Sequence, residues 1–257
     1  MNNMFFDSHA HYDDKRFNDD RDELLGSMSE NDVDYIVNAA ANIESSNEGI
    51  QLAEKFPSIY TAVGVHPHDV EKLEENAVET IENLSKHPKV VAIGEIGLDY
   101  YYDHSPRDTQ IIWFKRQMVL AKKVGLPIIV HSRDAAQETF DMIQESGLRS
   151  GVIHCYSGSA EMAKAYIKLG FYIGIGGTVT FNNARKVVEV VEQIPLDAIL
   201  LETDCPYLTP APHRGKRNDS TYLEYIAQKI ADIKDISIKE VARVTTNNAK
   251  TLYGIID

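Results

Sequence analysis

The chain has 257 residues, a formal net charge of −13 and a hydrophobic fraction of 43%. This length suits one domain with a large core, such as an α/β barrel of about 250 residues, and excludes a small scaffold that depends on disulfides. The acidic balance argues against a basic surface that binds nucleic acid non-specifically, but it leaves open a phosphate substrate held locally by metals and a few cations.

Short apolar runs in the sequence predict eight β-strands. Several runs are apolar at every position, such as 128–130 and 199–201, which is typical of strands buried on both faces of a parallel sheet. In chain order the predicted strands cover residues 3–7, 35–39, 60–65, 90–96, 127–130, 151–154, 171–174 and 198–202.

Helical patterns alternate with these strands. Apolar residues at spacings of three and four predict helices over 17–29, 45–55, 70–86, 106–123, 135–146, 160–169 and 184–193, followed by two C-terminal helices over 222–233 and 238–252. Gly125, Gly147 and Gly170 fall just past three of them, where a C-capping glycine is expected. Such repeats form a parallel barrel or a doubly wound sheet. Eight regular units favour the α/β class and a single (β/α)8 barrel domain over residues 1–257, with extra C-terminal helices.

Histidines and carboxylates fall at the ends of these predicted strands. His9 and His11 are two positions apart, so in an extended strand both rings lie on one face. Four of the later strands contribute one residue each, namely Glu95, His131, His154 and Asp204. Active sites of barrels form at the C-terminal strand ends, so all six side chains are expected in one small volume. Their spacing predicts a metal centre far more strongly than a set of buried core residues.

We expect this centre to hold two divalent cations, of zinc, manganese or magnesium. One cation is assigned to His9, His11, Glu95 and Asp204, and the other to Glu95, His131 and His154, so that Glu95 bridges them. A pair of cations clamps the attacking water and the leaving oxygen of a displacement at phosphorus.

Other polar residues lie near the same strand ends. His66, which precedes a proline, is expected to face the site, either as a substrate ligand or as a partner of a metal ligand. Arg133 follows His131 by two positions and is assigned to substrate binding. Glu202 cannot lie unpaired in a barrel, so an arginine or a metal-bound histidine is expected beside it. His68 is expected to be exposed.

Two further groups are candidates for substrate contact. Arg214, Lys216 and Arg217 cluster in the loop after the eighth predicted strand. Such a cluster of charges is usually a solvent-exposed surface without a specific role. Guanidinium groups match phosphate well, however, and we predict that all three side chains contact substrate phosphates. The tyrosines at 100–102 could stack nucleobases, although plain packing explains them equally well.

The two cysteines and the amino-terminal sequence indicate the cellular compartment of the protein. Cys155 and Cys205 each follow a candidate ligand directly and are expected to point away from it, toward the packing helices. Two such thiols suggest a reducing compartment, and the amino terminus lacks the basic and apolar regions of a signal peptide. We expect a cytoplasmic protein with no membrane segment and no obligate protein partner.

Taken together, the motifs resemble the TatD family nearly from end to end. The resemblance is carried by residues 7–11, 64–67, 94–100, 127–133, 154–158, 202–206 and 214–218. It implies a metal-dependent deoxyribonuclease of the 3′–5′ exonuclease type on an amidohydrolase-like barrel, with single-stranded DNA or DNA ends as substrate. It also implies the same six ligands, with Asp204 as the catalytic residue that positions the nucleophilic water. One departure is that Asp219 and Ser220 stand where the family usually has Glu-Pro.

Two other functions remain open. One is an amidohydrolase or lactonase that acts on a small molecule, although many such barrels bridge their metals with a modified lysine, and Glu95 stands at the corresponding position here. The other is a metal-binding protein without catalytic activity.

Overall fold

Eight parallel strands follow one another around a single sheet in chain order. The computed structural model describes residues 4–256. The strands are β1 (Phe5–Ala10), β2 (Val33–Ala39), β3 (Ile59–Val63), β4 (Val90–Asp99), β5 (Ile128–Arg133), β6 (Gly151–Ile153), β7 (Phe171–Ile175) and β8 (Ile199–Leu201). The predicted α/β barrel is confirmed. The predicted start of the first strand, Asn3, lies outside the described residues.

Helices connect the strands and cover the outside of the barrel. They are α1 (Arg21–Gly26), α2 (Ile43–Lys55), α3 (Ala77–Leu84), α4 (Arg107–Val124), α5 (Ala136–Ser146), α6 (Ala160–Lys168), α7 (Arg185–Gln193), α8 (Leu223–Lys234) and α9 (Ile238–Tyr253). Gly125 and Gly147 cap α4 and α5 in the left-handed conformation, as expected. Between residues 4 and 256, no helix has the length and apolar character needed to cross a membrane.

Two predicted helices are shorter than their apolar pattern suggested. The pattern over 70–86 resolves into a short 3-10 helix, Val70–Lys72, and then α3, because Leu73 is extended and packs against the core. The pattern over 17–29 likewise resolves into short 3-10 turns on either side of α1. Helical spacing of apolar residues cannot distinguish one long helix from several turns that bury the same side chains.

The core has an outer and an inner layer. The outer layer packs strands against helices, whereas the inner layer fills the barrel with residues such as Phe6, Ile129 and Leu200. Leu252 and Tyr253 of α9 join the inner layer, and the Tyr253 ring stacks on Phe6. The barrel is therefore a packed core, and its amino-terminal end is covered by the last helix.

Side chains close much of the seam between β1 and β8. Beyond the end of β8, the backbone pairs through a parallel bridge between Ala10 and Cys205, with hydrogen bonds from the His11 amide to the Cys205 carbonyl (2.8 Å) and from the Asp204 amide to the His9 carbonyl (3.0 Å). Asp7 is fully buried, and its carboxylate accepts hydrogen bonds from the Thr203 amide (2.9 Å), the Thr203 hydroxyl (2.6 Å) and the Ser220 hydroxyl (2.6 Å). Burial raises the pKa of Asp7 to about 7, although these donors favour its charged form. Asp7 thus joins β1 to the segment that follows β8.

Candidate metal centre

The structure brings the six predicted ligands together at the C-terminal ends of the strands. In the first half of the centre, the Nε2 atoms of His9 and His11 lie 3.1 Å apart. They lie 3.4 and 3.8 Å from Glu95 Oε2. Asp204 Oδ1 completes this half, at 3.3 Å from His11 Nε2. These are the four residues assigned to the first cation.

The second half of the centre surrounds the other oxygen of Glu95. Glu95 Oε1 lies 3.0 Å from His131 Nδ1 and 3.7 Å from His154 Nε2. His66 Nε2 lies at the same 3.7 Å distance from this oxygen. One buried carboxylate thus presents one oxygen to each set of nitrogens, which is the arrangement that a bridging ligand requires.

Charges in the centre are strongly coupled. Burial opposes the charged form of Glu95, but the surrounding histidines outweigh it and hold its pKa well below the ordinary value. Burial also lowers the pKa of His11 and of His154, yet neighbouring carboxylates raise these values to about 9 and about 10. Protons and cations therefore compete for the same nitrogens, and metal binding here releases protons.

The donor set fits a metal ion. Ligand atoms of His9, His11 and Glu95 lie within 4.8 Å of one another, and so do those of His66, Glu95 and His131. Zinc binds imidazole nitrogen at about 2.0–2.1 Å in tetrahedral geometry, so two nitrogens on one ion lie about 3.3 Å apart. The 3.1 Å between the Nε2 atoms of His9 and His11 is close to this value. The identities and number of the cations stay predictions.

Comparison with known proteins identifies the family. The model of the TatD-related DNases matches residues 6–254. The chain belongs to the TatD family of metal-dependent hydrolases. The uncharacterised metal-dependent hydrolase YabD of Bacillus subtilis is 44% identical over 98% of this chain and 100% of its own length. The uncharacterised metal-dependent hydrolase YcfH of Escherichia coli is 34% identical over 97% of this chain and 95% of its own length. The crystal structure of the E. coli TatD homologue YJJV superposes with a TM-score of 0.93, at 32% identity and 98% coverage of both chains.

Asp99 is a functional candidate in this TatD-family chain to which the sequence assigned no role. Its buried Oδ2 atom accepts hydrogen bonds from His131 Nε2 (3.0 Å) and from His68 Nε2 (2.9 Å). An ionised carboxylate only accepts, so both histidines donate to it from Nε2, and the Nδ1 atom of His131 is left facing Glu95. The expectation that His68 is exposed is wrong, because the turn after β3 carries it back to Asp99.

We expect Asp99→Ala to weaken binding of one cation by about 10- to 100-fold, because His131 loses the partner that fixes its orientation. Titration of the chelator-treated protein with zinc measures this change as a weaker second binding step. Asp108→Ala, an exposed position at the start of α4, is the control. Unchanged affinity for both cations in Asp99→Ala would contradict the role of Asp99.

Glu202 and Cys155 lie behind His154. Glu202 Oε1 accepts a hydrogen bond from the Cys155 amide at 2.6 Å. The same oxygen lies 3.2 Å from His154 Nδ1, close enough for an ion pair, but the two groups are not aligned for a hydrogen bond. A histidine is therefore its partner, as expected. The expectation that Cys155 points away from the site is wrong, because its sulfur groups with ligand atoms of His154 and Asp204. β6 ends at Ile153, and the positive φ of Cys155 (45°) breaks strand alternation.

The predicted substrate residues differ in their surroundings. His66 is buried against the centre, while Arg133 is exposed over Tyr101. Arg214 lies over the Phe181 ring, and Lys216 is exposed. These positions leave the assignment of all four to substrate binding a prediction.

Arg217 differs from the other cations of the loop. Its guanidinium donates to both oxygens of Asp20 at 2.7 and 2.6 Å and to the Arg16 carbonyl at 2.9 Å. The structure thus shows Arg217 tying its loop to the segment before α1. For Arg217 to contact a substrate phosphate as predicted, its guanidinium would have to leave Asp20.

Proposed function

We propose that this chain is a deoxyribonuclease that removes nucleotides from the 3′ end of single-stranded or frayed DNA, with two divalent cations in the metal centre. The observation that carries the proposal is the division of the centre by Glu95, whose two oxygens face separate sets of nitrogens. A scissile phosphate needs such a two-part site, because charge develops on the attacking and on the leaving oxygen. Bound cations would supply Lewis acidity toward the phosphate and the attacking water.

Asp204 is the side chain best placed to orient the attacking water. Burial raises its pKa, but the hydrogen bond from His11 and the charge of His154 outweigh burial and lower it below the ordinary value. The carboxylate is therefore ionised at neutral pH and able to accept a proton. A carboxylate with a lowered pKa is a weak base, so its main contribution is to hold the water in line with phosphorus.

Local cations compensate for the acidic character of the chain. In the part of the chain that the structure describes, Arg133, Arg214 and Lys216 form no salt bridge with a carboxylate. Their donors are available to phosphate oxygens, which supports a polyanionic substrate despite the net charge of −13.

A direct assay tests this proposal. Chelator-treated protein is reloaded separately with zinc, manganese and magnesium, and each form is incubated with a 5′-labelled single-stranded DNA and with a panel of lactones. We expect a ladder of products shortened from the 3′ end with at least one metal. Lactone turnover without DNA cleavage would favour the amidohydrolase alternative, and tight metal binding without any turnover would favour a non-catalytic protein.

A further inference from the structure

An exposed aromatic group lies beside the metal centre, just beyond β4. Tyr101 and Tyr102 are 58% and 49% exposed, which is unusual for two adjacent large rings. The guanidinium carbon of Arg133 lies 4.0 and 4.6 Å from their ring centroids. His104 stacks parallel to Tyr102 at 5.5 Å. We call these four residues the tyrosine platform.

The platform is fixed relative to the metal centre by Asp99. While Oδ2 of Asp99 binds His131, Oδ1 accepts hydrogen bonds from the Tyr101 amide (3.0 Å) and the Tyr102 amide (2.9 Å). Arg133 pairs with Asp99 across β4 and β5. The same carboxylate therefore sets the position of a candidate metal ligand and of the aromatic rings.

Rings of His68 and His66 connect the platform to Glu95. The His68 ring lies 5.4 Å from Tyr102 and 4.3 Å from His66, whose Nε2 faces Glu95. A ligand bound at the centre can reach the platform across these two rings. Core packing does not account for Tyr101 and Tyr102, because about half of each residue is exposed.

Arg133 adds a positive charge to the platform that no carboxylate of the described residues 4–256 neutralises. Within residues 4–256 its guanidinium forms no ion pair with a carboxylate, and it lies over the rings of Tyr101 and Tyr102. A guanidinium that lies on aromatic rings keeps the donors along its edge free. These donors suit a phosphate oxygen next to a stacked base.

We propose that the tyrosine platform is a nucleobase subsite. It takes the unpaired base of a nucleotide whose phosphate lies at the metal centre, and Arg133 contacts the adjacent phosphate. This inference rests on the proposed deoxyribonuclease function and deepens it. Because a base inside a duplex is already stacked on both sides, the platform selects single strands and frayed ends.

Binding of two oligonucleotides tests the subsite. The probes are a 5′-fluorescein-labelled thymidine tetramer and the same tetramer with abasic residues at its two 3′-terminal positions. Fluorescence anisotropy is measured with metal-loaded protein carrying Asp204→Asn to suppress cleavage. We expect at least about a fivefold preference for the tetramer with bases, since stacking on an aromatic side chain strengthens binding of each base.

The preference for the tetramer with bases should disappear in Tyr101→Leu/Tyr102→Leu, because neither ring is left to stack on a base. Tyr101→Phe/Tyr102→Phe should retain it, because the rings remain. Tyr60→Leu is the matched control, since Lys89 covers that ring at the other end of the barrel. A preference that survives in the leucine variant overturns the subsite alone. If the starting protein binds neither tetramer, the DNA substrate is wrong, and the subsite with it.

Discussion

Replacing Glu95 with Ala should remove most metal from both halves of the centre. Its Oε2 atom faces His9 and His11 while its Oε1 atom faces His131 and His154, so one substitution removes a ligand from each half. We expect the affinity for both cations to fall by more than about 100-fold. Loss of a residue that only supports a metal ligand costs up to about that factor, and loss of the ligand itself should cost more. Turnover of DNA should fall with metal occupancy.

Elemental analysis after gel filtration measures the metal content of the folded fraction. Glu95→Gln serves as a second variant, because it keeps the shape of the side chain and removes its charge. Glu79→Ala on the exposed face of α3 is the control for loss of a glutamate. His131→Ala should empty only one half. Full occupancy of both positions in Glu95→Ala would overturn the bridge.

Asp204→Asn should slow catalysis much more than it weakens metal binding. The amide keeps one oxygen near His11 but cannot accept a proton from the attacking water. We expect single-turnover cleavage at saturating metal to fall by about 10² or more, as for the loss of a positioned acid–base group. Metal affinity should fall only in part, because the remaining ligands of the first half are unchanged.

Single-turnover cleavage of a short DNA strand separates these two effects when metal is varied. A rate that recovers fully at high metal would show that Asp204 acts only as a ligand. A normal rate at every metal concentration would place the base elsewhere, with Glu202 and His66 as the next candidates. Both lie near the centre, at His154 and Glu95 respectively.

The barrel could be predicted from the sequence because its signals are local. A strand such as Ile128–Arg133 begins with apolar residues buried on both faces, and a glycine such as Gly125 stops the preceding helix. The clustering of the six candidate ligands could be predicted for a related reason, since each lies in the later part of a recognisable strand or within a few residues after it. Parallel topology then brings these ends to one face without any knowledge of side-chain contacts.

Contacts made after a strand ends could not be predicted in this way. Cys155 and Asp204 have positive φ angles of 45° and 57°, so the alternation of faces does not extend to them. The pairing of Arg217 with Asp20 joins residues 197 positions apart, and no local pattern reports it. Asp99 lies inside a recognisable motif, four residues after Glu95, but its role depends on where His68 and His131 fold.

The closure of the barrel by Asp7 has a consequence for protein synthesis. Asp7 must wait for partners that lie far along the chain, since Thr203 is 196 positions later and Ser220 is 213 positions later. A nascent chain that has emerged only through β7 carries five of the six candidate ligands but lacks Asp204 and the donors that hold β1 in place. The candidate metal centre therefore cannot be completed before the segment that follows β8 has been synthesised.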